Sequence, residues 1–127
     1  MTPARILMVE DQMHLAMMLE EIMADAGYDV ISAGKLERAM KLARDMPLDA
    51  AILDINLGDG ITAYPLADLL ERRGVPYAFA SGYSECDIPQ PYRSHLTVHK
   101  PYAPQDILAA IGSLLADAPG TTGRAAT

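Results

Sequence analysis

The chain has 127 residues, half of them hydrophobic, with 17 acidic and 10 basic residues and a formal net charge of -7. That length points to one domain, and the excess of acid argues against non-specific nucleic-acid binding, which needs clustered Lys and Arg. One cysteine, Cys86, excludes an internal disulfide, and no apolar stretch approaches the ~20 residues of a membrane span.

In chain order, Met1 to Arg5 carries no signal-peptide pattern, so the expectation is a soluble cytoplasmic protein without a membrane partner. Ile6-Leu7-Met8-Val9 reads as a short buried strand ending in Glu10-Asp11. Leu15, Met18, Leu19, Ile22, Met23 and Ala26 recur at helical spacing, and Gly27 stops that helix. Tyr28 to Ile31 is a second strand. Leu36, Ala39, Met40 and Ala43 mark a second helix, closed by Pro47. Asp49 to Leu53 is a third strand, with Asp54 carried past its end toward the turn formers Gly58, Asp59 and Gly60. Thr62 is expected to cap a third helix, with Ala63, Leu66, Ala67 and Leu70 inward and Pro65 in the first turn. Val75 to Ala80 is a fourth strand and Thr97 to His99 a short fifth. Pro104 opens a last helix with Ile107, Leu108, Ile111, Leu114 and Leu115 on one face. Between the last two strands, Pro89 and Pro91 limit the chain to a single helical turn or a mobile loop.

Strands alternating with helices predict a parallel sheet covered on both faces. Ligands in such folds bind beyond the carboxyl ends of the strands. Glu10 and Asp11 leave strand one there, Asp54 strand three, Ser81 strand four and Lys100 strand five. Crowded acids repel unless a cation offsets them. An oxygen-rich cluster without His or Cys suits Mg²⁺ rather than zinc. A metal, a carboxylate nucleophile, a hydroxyl and an ammonium are the parts for phosphoryl transfer to Asp54.

Each piece has a plainer reading. Glu10-Asp11 could be acids beside a helix N-terminus, Asp54 a turn residue and Lys100-Pro101 a surface turn. The joint site is preferred because all five groups fall at the ends of four predicted strands. His14 reads as an exposed helix residue, and His99 points away from Lys100 by strand alternation. Met8, Met18, Met23 and Met40 sit at core spacing. Cys86 has no basic neighbour to activate it.

Val9-Glu10-Asp11, Leu53-Asp54-Ile55-Asn56, Ala80-Ser81-Gly82 and Lys100-Pro101, in that order, resemble the receiver domains of response regulators, the CheY-like family. The resemblance implies an α/β, doubly wound, five-stranded parallel sheet in the flavodoxin-like order 2-1-3-4-5. It spans residues 1–117, with a flexible tail over 118–127. It implies that Asp54 accepts a phosphoryl group from a phosphohistidine of a sensor histidine kinase or phosphotransfer protein. Mg²⁺ would be held by Asp11, Asp54 and the backbone carbonyl of Asn56, with Glu10 acting through water. Ser81 and Lys100 would hold phosphoryl oxygens, and the Lys100-Pro101 bond is expected to be cis.

Two departures stand out. Where the family usually has Tyr or Phe three residues before the lysine, this chain has Thr97. The segment before strand five is also short and proline-broken. With Pro76-Tyr77-Ala78-Phe79-Ala80-Ser81-Gly82-Tyr83, these features resemble the FAT GUY subgroup, typically single-domain receivers without the aromatic switch. The implied switch elements are Gly82, Tyr83, Thr97 and Pro101, and residues 84–95 are expected to order on phosphorylation. Output is then expected through an unidentified downstream protein, or the chain acts as a phosphate sink. The alternative of another class is a Mg²⁺-dependent phosphatase of the haloacid dehalogenase type. It needs an acid two residues after the nucleophile, where this chain has Asn56, so a turnover enzyme is disfavoured.

Overall fold

The computed structural model describes residues 3–55, 57–58, 60–81, 97–99 and 104–116, with backbone alone for 81 and 97–99. The elements are β1 (Arg5–Val9), α1 (Met13–Asp25), β2 (Asp29–Ala33), α2 (Leu36–Asp45), β3 (Ala50–Asp54), α3 (Tyr64–Arg72), β4 (Tyr77–Ser81), β5 (Thr97–His99) and α4 (Pro104–Ala116). All neighbouring strands are parallel, in the order β2-β1-β3-β4-β5. The expected doubly wound α/β architecture and strand order are therefore present.

Successive strand side chains point to opposite faces, and the sheet has a core on each. Leu7, Val9, Ala51, Leu53, Tyr77 and Phe79 pack with residues of α2 and α3. Ile6, Met8, Ala50, Ile52, Ala78 and Ala80 pack with α1 and α4 through Leu19, Met23, Ile107 and Ile111. Burial on both faces explains why β1 and β3 read as continuous apolar runs rather than alternating ones. Phe79 is fully buried and edge-on to Tyr64 and Tyr77, with ring centroids 5.8 and 5.5 Å away.

Two helix ends set where the next strand begins. After α1, the Tyr28 N–H donates to the Met23 carbonyl (3.1 Å) and the Gly27 N–H to Ala24 (3.0 Å), with Gly27 at φ +97°. After α3, Val75 donates to Leu70 (2.9 Å) and Gly74 to Glu71 (3.1 Å), with Gly74 at φ +72°. Both are Schellman ends, which need a residue of positive φ and use the following N–H to close the helix. Tyr28 and Val75 therefore belong to helix caps, and β2 and β4 begin later than the apolar pattern predicts. Proline at position 76 withholds a donor as well.

Other expectations need correction. Thr62 does not cap α3. The cap position is Ala63, whose own N–H donates back to the Ile55 carbonyl at 2.9 Å, while Pro65 does sit in the first turn. Met18 is not a core residue but is 45% exposed. Helical residues are about 100° apart, so Leu15, Ala16, Ile22 and Met23 lie within about 60° of buried Leu19, whereas Met18 lies about 100° away. Ala26 is in phase with that stripe yet exposed, because the helix has already ended. Met8 and Met23 are buried and Met40 half-buried, as core spacing requires. Gly82 to Leu96, including Cys86 and the two prolines, and the tail from Asp117 lie outside the described residues.

Phe79→Ala should keep the fold and cost about 3 to 5 kcal/mol, the range for emptying a fully buried aromatic site. Urea unfolding followed by circular dichroism measures this. A loss under about 1 kcal/mol would mean that the aromatic trio is not part of the cooperative core.

Candidate functional site

β1 and β3 run side by side in parallel, with Val9 opposite Leu53, so the residues that follow them emerge at one edge of the sheet. Glu10 extends the β1–β2 ladder by one step, its N–H donating to the Ala33 carbonyl at 3.1 Å. Its carboxylate turns back to accept the Gln12 N–H at 3.2 Å. That bond satisfies one amide where α1 starts, so the reading of Glu10 as an acid beside a helix N-terminus is also true of it. Asp11 follows in a bend and is exposed.

Asp54 does not leave the sheet. It is the last residue of β3, pairs in register with Ala80 and is only 7% exposed. The expectation that it is carried out of the core into a loop is thus corrected. The chain beyond it folds back over the edge, with Ile55 and Leu57 buried. Three backbone bonds of 2.9 Å hold that return: Leu57 to Ile61, Ile61 to Gly58 and Ala63 to Ile55.

Glu10, Asp11 and Asp54 each offer a carboxylate oxygen, and these oxygens all lie within 4.8 Å of one another. Glu10 is 3% exposed, so two of the three acids are buried and one faces solvent. Oxygens sharing one octahedral Mg²⁺ at 2.0–2.1 Å lie about 3 to 4 Å apart. A separation of up to 4.8 Å leaves room for two of these oxygens to ligate one cation directly and for the third to reach it through a bound water. The all-oxygen donor set fits a hard cation.

Gly58 is a member of this site that the sequence reading treated only as a turn former. Its φ of +89° is one that residues with a Cβ rarely adopt, and a Cβ there would lie 3.5 Å from Asp11 Oδ2. Its place four residues after Asp54, in a short Gly-Asp-Gly turn, was the available signal.

Of the other expected site residues, Ser81 is the last residue of β4, in register with His99, and Thr97 of β5 pairs with Phe79. Asn56, Gly82, Tyr83, Lys100 and Pro101 lie outside the described residues, as does Asp59. His14 is exposed in the first turn of α1, as expected.

Comparison with known proteins gives one family. The response regulator receiver domain matches residues 6–112. The transcriptional regulatory protein PdtaR of Mycobacterium tuberculosis is 28% identical over 86% of this chain and 55% of its own length. The phyllosphere-induced regulator PhyR of Methylorubrum extorquens is 32% identical over 87% of this chain and 43% of its own. The chain thus spans about half the length of the curated relatives it matches. The solution structure of SdrG from Sphingomonas melonis is 31% identical, covers 91% of this chain and 98% of its own, and superposes with a TM-score of 0.77.

Gly58→Ala should be tolerated sterically but strained at its positive φ, lowering stability by about 1 to 2 kcal/mol. Chemical denaturation without divalent ions reads the change. Wild-type stability in this variant would show that the turn relaxes freely, so that Gly58 does not fix the approach to Asp11.

Proposed function

The chain belongs to the response regulator receiver domain family and is a receiver of two-component signalling, and from that premise we propose that it is a Mg²⁺-dependent phosphoryl acceptor with Asp54 as the acceptor residue. The observation that carries this reading is the convergence of Glu10, Asp11 and Asp54, with Asp54 buried at the end of β3.

In the proposed reaction a carboxylate oxygen of Asp54 attacks the phosphorus of a phosphohistidine on a sensor histidine kinase or phosphotransfer protein. The new P–O bond forms as the P–N bond breaks, and the imidazole nitrogen keeps the electron pair and takes up a proton. Bound Mg²⁺ supplies positive charge that offsets the acids and the phosphoryl oxygens. Asp11, Asp54 and the Asn56 carbonyl would hold it, with Glu10 acting through water. The hydrogen bond from the Gln12 N–H orients Glu10 for that role. Ser81 and Lys100 would hold phosphoryl oxygens, with Lys100 aimed by Pro101.

A phosphoryl group adds about two negative charges and three strong acceptors at this buried position. The loop after β4, through Ser81, Gly82 and Tyr83, is the element drawn toward it. Thr97 is too small to act as an aromatic switch, which supports the FAT GUY likeness. Signalling then passes by protein–protein contact to a downstream partner. A haloacid-dehalogenase-type phosphatase remains the poorer reading, since the amide of Asn56 cannot transfer the proton that chemistry needs.

Incubation with acetyl phosphate and Mg²⁺ should add one phosphoryl group by intact mass, and Asp54→Asn should add none while keeping the fold, the two side chains being nearly isosteric. Undiminished incorporation in that variant would sink the assignment.

Mg²⁺ should also raise the melting temperature, because it relieves repulsion among the three carboxylates. Asp11→Ala should remove the rise. A wild-type melting curve indifferent to Mg²⁺ would mean that the acids do not share a cation.

A further inference from the structure

The solvent side of α1 opens with sulfur and an imidazole, where a surface helix ordinarily carries charge. Among the described residues four large hydrophobic side chains are exposed, and three of them are Met13, Met17 and Met18, at 76%, 61% and 45%. His14 is exposed beside them. No Asp, Glu, Lys or Arg stands from Met13 to Leu19. Met8 and Met23 are buried, so core filling accounts for those two and not for the three outside. Among the described residues His14 makes no hydrogen bond or ion pair, which leaves its ring available to a ligand.

The spacing brings three soft donors together. His14, Met17 and Met18 form an i, i+3, i+4 set, in which both methionines neighbour the histidine on the helix surface. At about 100° per residue, Met17 lies about 60° to one side of His14 and Met18 about 40° to the other. Helical side chains lean toward the N-terminus, so both thioethers are carried back over the turn that holds the imidazole. Met13 lies beyond Met17, about 100° from His14, and is outside the set. A single ion needs no groove, since its ligands themselves enclose it.

Donor chemistry then selects the ion. Thioethers favour soft Cu⁺, and imidazole serves copper as well. The all-oxygen cluster of Glu10, Asp11 and Asp54 has the opposite preference, for a hard cation. We propose that His14, Met17 and Met18 form a binding site for a soft monovalent cation, Cu⁺, with one ring nitrogen and two sulfurs as ligands. The site is separate from the acid cluster and does not rest on Asp54 chemistry.

The test is an NMR titration of the full chain carrying isotope-labelled methionine methyls, with Ag⁺ as an air-stable soft probe and with chloride and phosphodonor absent. C86S is the background, because the cysteine thiolate would compete for the same ion. The Met17 and Met18 methyl signals and the His14 ring signals should shift together and saturate at one equivalent, while Met8, Met13 and Met23 move less. M17L/M18L keeps the apolar bulk and removes both sulfurs, and it should weaken binding by about tenfold or more. H14A should weaken it too. If the double variant does not fold, M17L and M18L singly should each weaken binding by a smaller factor. Unchanged affinity in a folded variant would overturn the proposal. So would a Met13 shift equal to those of Met17 and Met18, which would mean contact with any exposed thioether. Methyl shifts that grow with protein concentration in the absence of Ag⁺ would reassign the face to self-association and overturn it as well.

Discussion

Everything at the functional edge depends on holding three carboxylates together against their mutual repulsion. A flexible chain would separate Glu10, Asp11 and Asp54. This one cannot, because β1 and β3 are locked in parallel register from Ile6–Ala50 to Val9–Leu53. Side-chain direction alternates along β3, so a slip of one residue would send Asp54 to the other face and bury Ala51 and Leu53 against the wrong helices. The two cores enforce the register, since each face has its own set of side chains to bury. Hydrophobic burial on both faces thus supplies the stability that a like-charge cluster removes.

The loops apply the same logic at smaller scale. Past Asp54 the chain keeps Ile55 and Leu57 buried and closes on itself with backbone bonds, so the edge is covered rather than open. Gly58 permits that path through its positive φ and comes close to Asp11. Farther from the site, Arg73 donates to the carbonyls of Ala43 and Met46, tying the end of α3 to the end of α2. Two carbonyls at the C-terminal end of α2 gain a partner in this way, and Pro47 holds Met46 in extended backbone so that the helix cannot continue. These contacts lie where β3 and β4 begin, at the sheet edge opposite the carboxylates, and so tie together the crossovers that deliver those strands.

Fold class and most of the site were legible in the sequence because their signals are local. Apolar runs of four or five residues, helical spacing in between, and Gly27 as a stop were enough to order the strands and helices. Acids at the ends of two such runs were enough to place Glu10, Asp11 and Asp54 at one edge, given that parallel strands end on the same side. What failed also had local causes that periodicity does not carry. Tyr28 and Val75 are apolar and adjoin strands, yet their N–H groups close the preceding helices. Met18 is apolar and three residues from Leu15, yet lies about 100° from Leu19 and outside the buried stripe.

Taken alone, the sequence determined the alternation of elements, the burial of both sheet faces and the identity of the acids, because each follows from residue type and spacing within a short window. Only the tertiary structure decided how deep Asp54 lies, how close the three carboxylate oxygens come, and that Gly58 belongs beside Asp11. Those quantities depend on how segments distant in sequence pack together. A carboxylate at the end of a strand is exposed or buried according to whether the following loop turns away or folds back, and here the bonds that fold it back join residues 55 to 63 across the sheet edge rather than along a strand or helix.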